Sequence, residues 1–145
     1  MYAYLSDNGL LNPLQSGFRT LHSTVTALLD LTNEWSFNID RKMINGVILL
    51  DLKKAFDTVN HEILIKKLEY FGFDPSSIAF FRSYLSNRQQ QCKINGFSSD
   101  FLFTTCGVPQ GTILGPLFFL IYVNDMPNCL KNCTARLYAD DTTLS

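Results

Sequence analysis

The sequence predicts an α+β fold, with one short antiparallel sheet packed against helices. Three observations carry that reading. Short β-compatible runs at Val47–Leu50, at Gln89–Ile94, at Phe101–Thr105 and on both sides of Ala139-Asp140-Asp141 are bounded by turn signals. Between them lie stretches with apolar residues at helical spacing, from Val25 to Ile39, Asn60 to Tyr70 and Ile78 to Leu85. The third is composition: 145 residues, 46% of them hydrophobic, with twelve Phe and six Tyr, suit one compact domain rather than a disordered chain.

Taken in order, Met1 to Leu14 has no clear period and reads as the tail of an element begun earlier. Gln15-Ser16-Gly17-Phe18-Arg19 is a polar loop. Ser23 or Thr24 can cap a helix on which Val25, Leu28, Leu29, Leu31, Trp35 and Ile39 form an apolar stripe. After a polar break from Asp40 to Gly46, Val47-Ile48-Leu49-Leu50 is a continuous aliphatic run, expected to be a strand buried on both faces. It ends at Asp51, whose carboxylate needs a partner if buried and none at an exposed strand end.

The helix from about Asn60 to Tyr70 should turn Ile63, Leu64 and Leu68 inward and Lys66, Lys67 and Glu69 outward, with Gly72 ending it. Asp74-Pro75 is a cap and first turn for the next helix, carrying Ile78, Phe81, Tyr84 and Leu85. Asn95-Gly96 marks a hairpin after the Gln89–Ile94 strand, and Phe101–Thr105 returns. The loop Gly107-Val108-Pro109-Gln110-Gly111 precedes an almost wholly apolar, hence buried, helix from about Leu114 to Asn124, which Pro127 closes. A hairpin tipped by Asp140 and Asp141 comes last.

Charge and cysteines exclude several classes. A net charge of −1 and a pI near 6.0 count against an autonomous grip on phosphate backbones. Cys92, Cys106, Cys129 and Cys133 contain no Cys-x-x-Cys pair and have no histidine nearby in sequence, so zinc is not indicated. Reduced thiols and an intracellular setting, nuclear or cytoplasmic, are expected. No secretory leader pattern is present. The most apolar run, Ile113–Val123, is broken by Gly115 and Pro116 and is too short to span a bilayer, so no membrane partner is expected.

Three stretches carry chemistry: the strand ending in Asp51, the Gln110-Gly111 loop and the Asp140-Asp141 hairpin. Adjacent residues on a strand point to opposite faces, so Asp140 and Asp141 serve one site only if the backbone turns. An acid at a strand end and two at a neighbouring hairpin tip can converge on hard cations such as Mg²⁺. Two such ions activate an attacking oxygen and stabilise a leaving one. The chemistry by itself fits a polymerase, a nuclease or a phosphatase.

The motifs also carry a resemblance. Val47 to Leu64, VILLDLKKAFDTVNHEIL, resembles the first catalytic motif of reverse transcriptases from non-LTR, LINE-type retrotransposons. Gly107 to Asp125, GVPQGTILGPLFFLIYVND, resembles their Gln-Gly motif, and Leu137 to Thr142, LYADDT, their paired-aspartate motif. Gln15 to Arg19 is similar to an upstream fingers motif, and Tyr84 to Arg88 with Asn95-Gly96 to the usual spacer. The likeness covers nearly the whole chain in the family's order, nearest the Jockey-like and RTE-like branches.

It implies a partial reverse transcriptase domain over residues 1–145: a fingers part to about residue 46, then a palm core with a fingers/palm insertion. The flanking fingers hairpin, primer grip and thumb of the family have no counterpart in this sequence. The implied activity is RNA-directed DNA synthesis, with an RNA template, a DNA primer and deoxynucleoside triphosphates as partners. The alternative is a truncated remnant with no activity of its own; a two-metal nuclease leaves the Gln110-Gly111 loop and Phe56 without a role. Asp51, Asp140 and Asp141 would be the catalytic, metal-binding acids, holding two Mg²⁺ ions, with Mn²⁺ as the substitute. Phe56 would be a ring excluding the ribose 2′-OH, with core packing as the bland reading. Gln110 would meet the incoming nucleotide or template base, and Gly111 would let the backbone approach. Tyr138 would pack near the primer end, and Arg19, Lys53 and Lys54 would meet phosphates or solvent. Asp57 reads as a structural cap, His61 as a helix-start residue and His22 as a loop residue. By itself the chain is expected not to polymerise.

Overall fold

The computed structural model describes residues 1–145, and the chain divides into two compact units, Met1–Ala55 with Val123–Ser145 and Phe56–Tyr122. Helices and small antiparallel sheets are mixed, in keeping with the α+β expectation.

The first unit brings the two chain ends together. The stretch without a clear period contains a short helix, α1 (Tyr2–Asp7), whose Leu5 is fully buried. The following turn is tied down by paired asparagines: the Asn12 backbone N–H donates to Asn124 Oδ1 at 2.7 Å, and Asn124 Nδ2 donates to the Leu10 carbonyl at 2.9 Å. Helix α2 (Thr24–Asp40) starts at Ser23, which exchanges bonds with Thr26 in a capping box. Its expected apolar stripe is not a buried one. Leu31 is buried, whereas Val25, Leu28, Leu29 and Ile39 are exposed. Arg136 instead ties the helix to the sheet, through Asp30 at 2.6 Å and Glu34 at 2.5 Å.

The sheet of this unit has three strands in the order β1 (Ile48–Asp51), β7 (Asp141–Leu144), β6 (Ala135–Tyr138), all antiparallel. The aliphatic run was expected to be buried on both faces; Ile48, Leu49 and Leu50 are all exposed, Leu49 at 76%. The physical reason is position. β1 is an edge strand with one neighbour, and burial on both faces is a property of central strands in covered sheets. Burial falls on β6 and β7, where Ala135, Leu137 and Thr142 are inside.

The second unit is built on α3 (His61–Tyr70), α4 (Pro75–Leu85) and α5 (Leu114–Val123). Asn60 caps α3 by accepting from the Ile63 N–H, and Gly72 follows it with φ +81°. Leu64, Ile65 and Leu68 are inside, while Ile63, expected inward, is 46% exposed. Positions 64, 65 and 68 share a face at i, i+1 and i+4, and Ile63 falls outside that arc. Asp74 caps α4 with bonds to the Ser76 and Ser77 N–H groups, and Ile78, Phe81 and Leu85 are buried.

Two short ladders cross the surface: β2 (Gln89–Gln90) with β5 (Leu102–Phe103), and β3 (Lys93–Ile94) with β4 (Phe97–Ser98). Asn95 and Gly96 join the latter pair, both at positive φ, as a tight hairpin requires. Helix α5 is buried along its middle, at Phe118 to Ile121, as its apolar composition predicts. Phe118 meets Phe81 edge-on at 5.3 Å.

Candidate active site

Register places the acids of the first unit. Asp51 lies directly opposite Asp141 in the β1–β7 ladder, and Asp141 opposite Tyr138 in the β7–β6 ladder. Directly opposed residues share a sheet face, so Asp51, Asp141 and Tyr138 form one row across three strands. The next row, Leu50, Thr142 and Leu137, faces the other way, and its Thr142 and Leu137 are buried. Burial of that second row fixes the register of the first, because a one-residue slip would carry Asp141 inside.

Asp140 stands outside the ladder, in the two-residue turn Ala139-Asp140. Ala139 takes the left-handed conformation, φ +57°. The turn that two adjacent acids require is therefore present. Asp51 and Asp141 are exposed and Asp140 is half-buried. No three His, Cys, Asp or Glu side chains are grouped at metal-holding spacing. The opposed pair Asp51 and Asp141 nevertheless has the chemistry to face a divalent cation. It is all carboxylate, the ligand type of hard ions, and two like charges opposed across a ladder repel unless a cation lies between them.

The turn is gripped by the loop at Gln15. The Gln15 side chain is 3% exposed; its Oε1 accepts from the Gly17 and Ala139 N–H groups at 2.7 and 2.9 Å, and its Nε2 donates to the Ala139 carbonyl at 3.1 Å. A Cβ at Gly17 would collide with the Ala139 backbone. Arg19, expected at phosphates, directs Nη1 to the Asn12 carbonyl at 2.8 Å. Lys53 and Lys54 are exposed.

In the second unit, the residues from Phe56 to His61 hold the Gln-Gly loop. The Gly107 N–H donates to the Val59 carbonyl and the Val108 N–H to the Phe56 carbonyl, each at 2.8 Å. His61 Nε2 lies 2.7 Å from the Gly107 carbonyl. A carbonyl only accepts, so that nitrogen carries the proton. Gln110 Nε2 donates to Asp57 Oδ1 at 2.9 Å. Asp57 therefore anchors the Gln110 side chain, and the helix cap assigned to it from sequence belongs to Asn60. Gly111 is at φ +72° with open space around it, while Gly107, at φ +87°, is pressed on the Asp57 backbone. Phe56 is half-buried and stacks on Phe119 with ring centroids 4.4 Å apart.

Sequence reasoning named Gln15 only within its motif and gave Asp57 and His61 local roles; His61 does start α3, but the long-range contacts of all three went unforeseen. The available signal was weak. Each is a polar residue in a turn or at a helix start, where a local role explains it equally well. All four cysteines are free and exposed.

The comparisons with known proteins agree with the motifs. The family described as "Reverse transcriptase (RNA-dependent DNA polymerase)" matches residues 2–145. The chain is 31% identical over 97% of its length to a probable RNA-directed DNA polymerase from transposon BS of Drosophila melanogaster, covering 16% of that protein. It is 33% identical over 88% of its length to the RNA-directed DNA polymerase from mobile element jockey of Drosophila funebris, covering 14%. A probable RNA-directed DNA polymerase from transposon X-element of Drosophila melanogaster is 33% identical over 82% of the chain, which covers 13% of it. The chain thus spans about a seventh of the length of these relatives. With the family matched along almost its entire length, and relatives from mobile elements above 30% identity, this chain belongs to the reverse transcriptase family.

Proposed function

We propose that this chain is the nucleotidyl-transfer core of an RNA-directed DNA polymerase encoded by a LINE-type retrotransposon. The observation that carries the reading is the register pairing of Asp51 with Asp141, with Asp140 in the adjoining turn. Asp51, Asp140 and Asp141 would hold two Mg²⁺ ions, or Mn²⁺, which supply activation of the primer 3′ oxygen and stabilisation of the departing pyrophosphate. In this reading residues to about 46 are the fingers part, and residues 47–145 are the palm core with its insertion. The substrates are a primed RNA template and deoxynucleoside triphosphates, and the setting is intracellular, in the nucleus or the cytoplasm.

The chain's own side chains take the remaining roles. Phe56 excludes the 2′-OH, a role its half-burial against Phe119 leaves open because the ring is not fully enclosed. Gln110, held through its amide nitrogen by Asp57, keeps its amide oxygen for the nucleotide or template base. Tyr138, in the same row as the two opposed acids, packs by the primer end. Gly111 leaves its surroundings open to a substrate, and Arg19 adds positive charge near the hairpin grip.

The test is primer extension on a primed RNA template with Mg²⁺, by the polymerase that carries this segment. Asp51→Asn and Asp140→Asn should abolish synthesis with unchanged far-UV circular dichroism. Synthesis retained by either variant would refute the reading. The 145-residue chain alone, with a net charge of −1, has little attraction for a template-primer and is expected to give no extension above its Asp140→Asn control.

A further inference from the structure

We propose that Gln15 is a positioning residue of this site: it sets the backbone of the Ala139-Asp140 turn and thereby the place of the Asp140 carboxylate. The inference rests on the polymerase reading above and deepens it.

The turn is not held by its own residues. A two-residue hairpin with a left-handed first position favours glycine there, and the sequence supplies Ala139 at φ +57°. A Cβ makes that conformation unfavourable, so something outside the hairpin must hold it. Gln15 is the group in place to do so. Its one amide captures both the N–H and the C=O of Ala139, and the Gly17 N–H shares its oxygen. The amide orientation is dictated, because two backbone N–H donors converge on one atom that must be oxygen.

The grip is also registered along the strand. The Ser16 N–H donates to the Leu137 carbonyl and the Leu137 N–H to the Leu14 carbonyl, each at 2.8 Å, so Gln15 runs parallel to β6. Gly17 completes the fit, since any side chain there would strike Ala139.

A buried glutamine is a costly way to fill space, because its polar atoms must all be matched. Gln15 is buried beside the one turn whose conformation decides where Asp140 stands. An apolar residue of the same length could fill the volume but could not fix the turn.

The experiment uses the polymerase that carries this segment, with Gln15→Met and Gln15→Glu. Methionine keeps the length and loses all three bonds. Ionised glutamate keeps two, accepting from the Gly17 and Ala139 N–H groups, and loses the donation to the Ala139 carbonyl. The kcat should fall about a hundredfold in Gln15→Met, the scale of a small misplacement of reacting groups, and by roughly tenfold in Gln15→Glu. The KM for deoxynucleotide should stay within about twofold of the unsubstituted enzyme, because a change confined to the transition state moves kcat. The kcat of Gln15→Glu relative to the unsubstituted enzyme should recover as pH is lowered and the acid regains its proton. Hydrogen–deuterium exchange in the peptide spanning Tyr138–Asp141 should quicken in Gln15→Met.

Adding Ala139→Gly to Gln15→Met separates positioning from mere stability. Glycine relieves the strained turn, so the melting temperature should recover while kcat does not. Recovery of both together would overturn the proposal, as would an unchanged kcat in Gln15→Met. Should Gln15→Met fail to fold, Gln15→Glu decides: an unchanged kcat, or a ratio to the unsubstituted enzyme that does not move with pH, overturns it. Asp140→Asn in parallel keeps the two readings apart. A dead Asp140→Asn beside a fully active Gln15→Met sinks this inference alone, and an active Asp140→Asn sinks the polymerase reading.

Discussion

Alanine at Gly107 should damage the Gln-Gly loop far more than alanine at Gly111, although both glycines flank the same short segment. Both have positive φ, +87° and +72°. A Cβ in that region costs about 1–2 kcal/mol at either position. Space then separates them. A Cβ at Gly107 would lie 2.8 Å from the Asp57 carbonyl oxygen, 2.9 Å from its Cα and 3.0 Å from its carbonyl carbon, while nothing lies within 4 Å of one at Gly111. The obstructing atoms are backbone, and that backbone is pinned by the bonds from Gly107 to Val59 and from Val108 to Phe56. Forcing extra volume into such a contact adds about 1–3 kcal/mol. The expected losses are therefore ~2–5 kcal/mol for Gly107→Ala and ~1–2 kcal/mol for Gly111→Ala. Urea unfolding followed by circular dichroism measures both. Equal losses, or a larger one at Gly111, would refute the claim that the loop is seated on the Asp57 backbone. Because Asp57 also holds Gln110, Gly107→Ala should release the Gln110 side chain as well, visible as a shift of its amide resonances.

Phe56→Val in the polymerase should raise ribonucleotide incorporation relative to deoxynucleotide; an unchanged ratio would assign Phe56 to packing on Phe119 alone. Arg136→Met should lower stability by about 1–2 kcal/mol, since Arg136 is largely enclosed and bonds both Asp30 and Glu34; a shift in urea midpoint too small to resolve would show that α2 is held by other contacts. Asp74, whose bonds from Ser77 and Ser76 hold its carboxyl below the ordinary value of 3.8, supports α4 above that pH, and the support is lost as pH falls through its depressed folded value. The stability difference between the unsubstituted chain and Asp74→Ala should accordingly be largest near neutrality and shrink in acid; a difference that grew in acid would contradict the cap.

Local signals were legible in the sequence wherever local physics decides. Ser23 and Asp74 start their helices because a short polar side chain satisfies free N–H groups within three residues, whereas the cap of α3 fell to Asn60 rather than to Asp57. Asn95-Gly96 turns its hairpin because both residues tolerate positive φ. An almost wholly apolar α5 had to be buried. The motifs around Asp51, Gln110-Gly111 and Asp140-Asp141, taken together and in order, were enough to recognise the family, which matches residues 2–145.

Tertiary structure decided what depends on partners distant in sequence. Whether the aliphatic run of β1 is covered depends on its place in the sheet, and as an edge strand it is exposed. Composition is blind to strand order. Which face of α2 is buried was likewise not determined by its period, because a stripe needs a facing surface to become a core. Asp51 meets Asp141 only through an antiparallel register over some ninety intervening residues. Asp57 and His61 became supports of the Gln-Gly loop only once the chain folded back on them. Gln15 shows the limit most clearly. By itself it is a polar residue in a polar loop, and its grip exists only because folding sets it beside Ala139, where one amide bonds both the N–H and the C=O of a residue that the local sequence does not hold in place.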